Sequence, residues 1–187
     1  ANDVLDFRKG ADTPDRLGPT RVVAAGLLSA RAVSWGAALS FGAATGVGLY
    51  LVARGGWPIL VIGLASLACG YLYTGGPHPL DYRGLGDLFV MLFFGVIAVS
   101  GTVYVQALAW SLRAALLGVA VGALSVAILT VNNLRDLETD AAAGKRTLVV
   151  RLGADWGRAY YAAAVALAFV IPVLLSLAGG LSQRPGW

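Results

Sequence analysis

The carboxylates of this 187-residue chain fall into groups. Asp3, Asp6, Asp12 and Asp15 stand in the first segment, and Asp136, Glu138 and Asp140 in a later one. Asn132, Asp136 and Asp140 recur every four residues, a step that on a continuous helix drifts by ~40° and keeps all three on one face. Glu138 points elsewhere. Asn2 and Asp6 repeat the four-residue step, with Asp3 between them. Carboxylates this close repel one another, and a cation or basic neighbours must offset that cost. Oxygen-only ligands select a hard cation. Mg²⁺ takes one or two carboxylates, keeps water, and completes its shell with phosphate oxygens. With Arg21, Lys145 and Arg146 flanking the groups, the predicted chemistry is the binding of a Mg²⁺-bridged diphosphate. The competing reading makes these solvated loop carboxylates paired with nearby Arg and Lys. Two groups that share an Asn–Asp step favour the site.

The elements that position these groups are predicted to be membrane helices. The chain is 58% hydrophobic and 13% charged, about half the charge of an ordinary soluble domain. Its 25 glycines suit close helix packing in lipid. Five apolar stretches approach the ~20 residues needed to cross a bilayer as helices: 32–53, 57–74, 88–109, 112–131 and 159–181. Pro58 suits a first helical turn, and Pro172 is expected to kink the fifth helix. Trp57, Trp110 and Trp187 fall at segment ends, as interfacial aromatics do. The predicted fold is an all-α polytopic transmembrane bundle, with five full transmembrane helices in a single domain over 1–187.

Three longer polar segments, 1–31, 75–87 and 132–158, alternate with short turns, so successive crossings place all three on one side. They hold 11 of the 14 Lys and Arg residues. The positive-inside rule then puts them in the cytoplasm. The net charge of +4 is explained by this asymmetry, and nucleic-acid binding is excluded as the meaning of the basic balance. One Cys (Cys69) and one His (His78) rule out a disulfide framework and a multi-His or Cys metal site. Cys69 is expected to be a small core residue, Asp155 to cap the fifth helix, and Glu138 to lie at the surface. The polar start at Ala1, with Met91 the only Met, suggests that the sequence is part of a longer chain.

The residues Asn2-Asp3-Val4-Leu5-Asp6, continuing to Asp12, resemble the first aspartate motif of the UbiA-type intramembrane prenyltransferases. Asn132-Asn133-Leu134-Arg135-Asp136-Leu137-Glu138-Thr139-Asp140 resembles the second. Three longer stretches, DFRKGADTPDRLGPTRVVAAGLLS, GGPHPLDYRGLGDLFVMLFFG and NNLRDLETDAAAGKRTLVVRLG, are similar to the branch that prenylates 1,4-dihydroxy-2-naphthoate in menaquinone synthesis. Gly10 stands where the broader family has a further acidic residue. Tyr73 is followed by Thr74-Gly75-Gly76-Pro77, without the Lys of relatives that use other acceptors; both departures agree with the naphthoate branch.

The resemblance implies a nine-helix bundle, of which this chain supplies the end of the second helix through the seventh. It implies an enzyme of the bacterial plasma membrane with its motifs facing the cytoplasm. A polyprenyl group passes from polyprenyl diphosphate to 1,4-dihydroxy-2-naphthoate, with loss of CO₂ and diphosphate, giving demethylmenaquinone. The implied Mg²⁺ ligands are Asp3, Asp6, Asp12, Asp136 and Asp140. Diphosphate contacts are expected from Asn2, Lys9, Arg21, Asn132, Lys145 and Arg146. Acceptor contacts are expected from Tyr73, Arg83 and Asp87, with Arg83 the natural partner of a carboxylate. Tyr71, Tyr73, Phe93 or Phe94 could face an allylic cation, although ordinary packing is the simpler role for each. The alternatives are a prenyl or phytyl transferase for another ring such as homogentisate, an inactive isoprenoid-binding relative, and an aspartate-lined channel. The last requires acidic residues in mid-membrane, whereas all ten lie at or beyond helix ends.

Overall fold

In the computed structural model the structure describes residues 3, 4, 7, 21–72 and 84–182, and every regular element among them is helical. Helix α1 spans Ala30–Gly55 and α2 spans Trp57–Leu72. A third helix, α3, runs over Gly86–Ala107, and α4 spans Leu112–Arg135. Two short helices follow, α5 (Leu137–Ala142) and α6 (Leu148–Leu152), and then α7 (Ala154–Ser182). The helices α1, α3, α4 and α7 are long and apolar enough to cross a membrane, while α2 has 16 residues. The chain is therefore a multi-pass membrane protein built as an all-α bundle.

The helices outrun the apolar stretches. The first begins at Ala30 and the last at Ala154, because hydropathy marks the part in hydrocarbon whereas backbone bonding continues into the polar flank. Ser29 caps α1 by accepting from the Ala32 amide at 3.1 Å. Pro172 lies inside α7, which runs on to Ser182. Asp155 is not a cap. It is the second residue of α7, highly exposed, and pairs with Arg158 at 2.9 Å from within the first turn. Negative charge there still favours the positive end of the helix.

Contacts divide the chain into two units: residues 1–86 with 133–153, and residues 87–132 with 154–187. In the first unit a single residue, Gly56, links α1 to α2, so the pair folds back as an antiparallel hairpin. Gly70 accordingly lies against the ring of Phe41, each about equally far from the turn. Only Gly55 and Ile59 of this hairpin are buried, and large apolar side chains such as Trp35, Leu39, Leu49 and Trp57 are exposed. Such an apolar surface is suited to lipid and is unstable in water. Cys69 is half-buried.

In the second unit α4 is the most enclosed span, burying Ala114, Ala120, Ala123, Val126, Ala127 and Thr130. The Thr130 hydroxyl donates to the Val126 carbonyl at 2.8 Å, which satisfies a polar group sealed from water. Helix α3 widens into a π-helical stretch over Met91–Ile97. There its backbone meets α4 so closely that a Cβ on Gly95 would stand 2.5 Å from the Gly118 carbonyl oxygen and 2.5 Å from the Gly122 α-carbon. Dispersion and close backbone approach hold helices together where lipid supplies no hydrophobic drive.

Candidate active site

The second acidic segment departs from the single helical face expected of it. Helix α4 ends at Arg135, and Asp136 takes a non-helical conformation (φ −94°, ψ 12°) before α5 begins. The Asp136 carbonyl then accepts from the Asp140 amide at 2.8 Å, which starts the bonding of α5. Asn132, Asp136 and Asp140 therefore do not lie along one uninterrupted helix. Asn132 is exposed, and its neighbour Asn133 is the buried one.

The break lets adjacent side chains meet. Arg135 grips Asp136 with a two-pronged fork, Nε to Oδ1 at 2.7 Å and Nη2 to Oδ2 at 2.6 Å. Residues side by side on a helix do not face each other, so this pair needs the interruption. The bidentate geometry is the strong form of an arginine–carboxylate contact. Arg135 is a candidate residue that spacing alone missed. The only signal was a cation directly before a motif aspartate.

The next turn brings Lys145 back to Asp140. Helix α5 ends in a left-handed cap at Gly144 (φ +73°). The Gly144 amide donates to the Ala141 carbonyl at 3.1 Å, and the Lys145 amide to the Asp140 carbonyl at 2.9 Å. This nested pair satisfies carbonyls that the helix end leaves open. It also folds the main chain of Lys145 onto that of Asp140, and the side chains follow: Lys145 Nζ lies 3.3 Å from Asp140 Oδ1. Both are largely shielded, so screening weakens this pair less than a surface one. Thr147 then caps α6 by accepting from the Val150 amide at 3.2 Å. Arg146, in the middle of this turn, is exposed, as is Glu138.

The first segment is described at Asp3, Val4 and Phe7, all helical. Val4 is buried. The Asp3 carboxylate accepts from the Val22 amide at 3.2 Å and the Val23 amide at 3.4 Å. It thereby ties the start of the chain to the turn that opens at Arg21, where the Ala25 amide bonds the Arg21 carbonyl at 2.9 Å. Asn2, Asp6, Lys9 and Asp12 lie outside the described residues, as do Tyr73 and Arg83.

Asp87 opens α3 and is 6% exposed. In its own unit it is near enough to Tyr160 for the two to interact electrostatically, and Tyr160 stacks on Trp156 at 4.7 Å. Among the candidate aromatics, Phe93 stacks parallel to Phe89 at 6.0 Å, while Phe94 and Tyr71 are exposed on their helices. For these three the packing and interface role fits.

Among the described residues no group of three or more His, Cys, Asp and Glu converges as a metal cage. The donors of Asp3, Asp136 and Asp140 are nevertheless all carboxylate oxygens, the right chemistry for a hard cation that relies on few protein ligands and on substrate phosphate. Each carboxylate has more than one lone-pair site per oxygen, so its amide or cation contacts leave room for a metal. The residues fit Mg²⁺ in kind.

This is a membrane helix bundle whose polar connections carry carboxylates, two of them matched with cations. The chain belongs to the UbiA prenyltransferase family, whose pattern matches residues 1–185. It is similar to 1,4-dihydroxy-2-naphthoate octaprenyltransferase of Mycobacterium tuberculosis, 43% identical over 95% of this chain and 61% of that protein. The enzyme of the same name from Haemophilus influenzae is 37% identical over 97% of this chain and 61% of its own length. A 2-carboxy-1,4-naphthoquinone phytyltransferase of Synechocystis is 31% identical over 70% of this chain and 41% of that protein. The chain spans about three fifths of the length of the first two relatives. No solved structure matches it.

Proposed function

We propose that the protein transfers a polyprenyl group from polyprenyl diphosphate to 1,4-dihydroxy-2-naphthoate, releasing CO₂ and diphosphate and forming the demethylmenaquinone skeleton. The observation that carries this reading is the turn Arg135–Arg146, in which Asp136 and Asp140 are each matched with a cation, in a chain similar to enzymes of that name. Asp3, Asp6, Asp12, Asp136 and Asp140 would hold Mg²⁺, which when bound neutralises charge on the diphosphate. Lys145, Arg146 and Arg21, with Asn2, Lys9 and Asn132, bind the diphosphate oxygens and stabilise the charge that builds as the allylic C–O bond breaks. The apolar helices hold the prenyl tail and keep water from the cation. Arg83 receives the acceptor carboxylate, with Tyr73 and the buried Asp87 orienting the ring.

The motifs face the cytoplasm of a bacterial plasma membrane, a placement supported by the gathering of Lys and Arg in the three longer polar segments. The test is transfer of a radiolabelled polyprenyl group in membranes carrying the complete protein, with and without Mg²⁺. The naphthoate, homogentisate and 4-hydroxybenzoate serve as acceptors, and phytyl diphosphate as a second donor. Mg²⁺-dependent labelling of the naphthoate by the polyprenyl donor is expected. Labelling of another ring, or preference for the phytyl donor, would replace the substrate assignment; no transfer at all would remove the reading.

A further inference from the structure

Gly84 has no part in the site described so far, yet it sits where two polar segments touch. Its backbone is left-handed (φ +73°). A Cβ placed on it would stand 2.5 Å from the carbonyl oxygen of Arg146 and 3.6 Å from the carbonyl carbon, with Arg151 Nη1 at 3.6 Å. Real Cβ atoms do not approach a main-chain oxygen so closely, and a main-chain oxygen cannot swing aside as a side chain can. The bare α-carbon of Gly84 is thus packed on the backbone of the turn that returns Lys145 to Asp140. Within its own segment that turn is held by the amides of Gly144 and Lys145 and by the Thr147 cap.

We infer that Gly84 is a positioning residue: its missing side chain lets the segment before α3 brace the Arg146 backbone, and this brace keeps Lys145 on Asp140. The consequence for catalysis rests on the function proposed above. A displaced Arg146 carbonyl loosens the Lys145–Asp140 pair and so weakens the grip on the diphosphate. Because the same segment leads through Gly86 into Asp87, it links the turn to the start of α3.

Asparagine separates the two demands on this position, since it tolerates positive φ but carries a Cβ. Gly84→Asn therefore keeps the backbone conformation and introduces the collision. Gly26→Asn is the matched control, with φ +70° and open space around its Cβ position. Two readouts are taken on the complete membrane-inserted protein. Hydrogen exchange of the Lys145 amide should quicken by about tenfold or more in Gly84→Asn and stay at the parent rate in Gly26→Asn. In prenyl transfer, KM for the polyprenyl diphosphate should rise by about tenfold in Gly84→Asn with kcat within about twofold, a split that general destabilisation does not produce. Equal exchange at Lys145 in the two variants overturns the inference, whether or not the protein turns over the naphthoate. Faster exchange without prenyl transfer in the parent protein leaves the brace standing and sinks the proposed function instead.

Discussion

Asp3 is held across a long stretch of sequence, by the amides of Val22 and Val23, whereas Asp136 and Asp140 are held by cations one and five residues away. The difference separates two uses of a carboxylate. An amide donor gives direction without a counter-charge, so Asp3 organises a fold-back of the chain through its two amide contacts. Arg135 and Lys145 give charge compensation from side chains that can exchange partners. In the second segment the acids are matched in advance by side chains that, under the proposed function, would turn to the diphosphate once Asp136 and Asp140 held Mg²⁺. Asp3 thus has a structural bond to lose besides its proposed place at the metal, which Asp136 and Asp140 do not.

The comparison is broken most sharply at the second segment. Asp136→Ala or Asp140→Ala is expected to lower prenyl transfer by about 10³-fold or more, with membrane insertion and thermal midpoint close to parent, as measured by labelled product and by unfolding in detergent. Asp6→Ala, in the first motif, is expected to lose transfer as completely. Asp3→Asn should remove the paired acceptor geometry and lower stability by about 2 kcal/mol, seen as faster hydrogen exchange at Val22 and Val23. Arg135→Lys keeps the charge and loses the fork. KM for the polyprenyl diphosphate should rise by about tenfold, since an ammonium cannot hold both Asp136 oxygens. The smallest effect belongs to Gly144→Ala. Its Cβ would meet open space, so only the left-handed backbone is disfavoured, at about 1 kcal/mol of local stability in α5.

The bundle was legible because lipid imposes a simple rule: long apolar runs such as 112–131 must be helices. Charge placement made the polar segments legible for a similar reason. The four-residue step from Asn132 to Asp140 did not carry over into one helical face. No Gly or Pro announces the break at Asp136, and the Arg135 fork depends on it. Gly144 did carry a signal, a glycine ending an Ala-rich run and followed by Lys, which is the usual wording of a helix C-cap. The π-helical stretch over Met91–Ile97 has no comparable wording, because it arises from close packing on Gly118 and Gly122, far away in sequence. The role of Gly84 was hidden for the same reason: its constraint is a carbonyl oxygen some sixty residues on.

The measurement that bears most directly on this account sets Asp3→Asn beside Asp136→Asn in the complete protein, reading thermal midpoint and Mg²⁺-dependent prenyl transfer in the same preparations. The account predicts that Asp136→Asn keeps its midpoint and loses transfer, while Asp3→Asn loses both. An Asp136→Asn protein that transfers the prenyl group at the parent rate would contradict it.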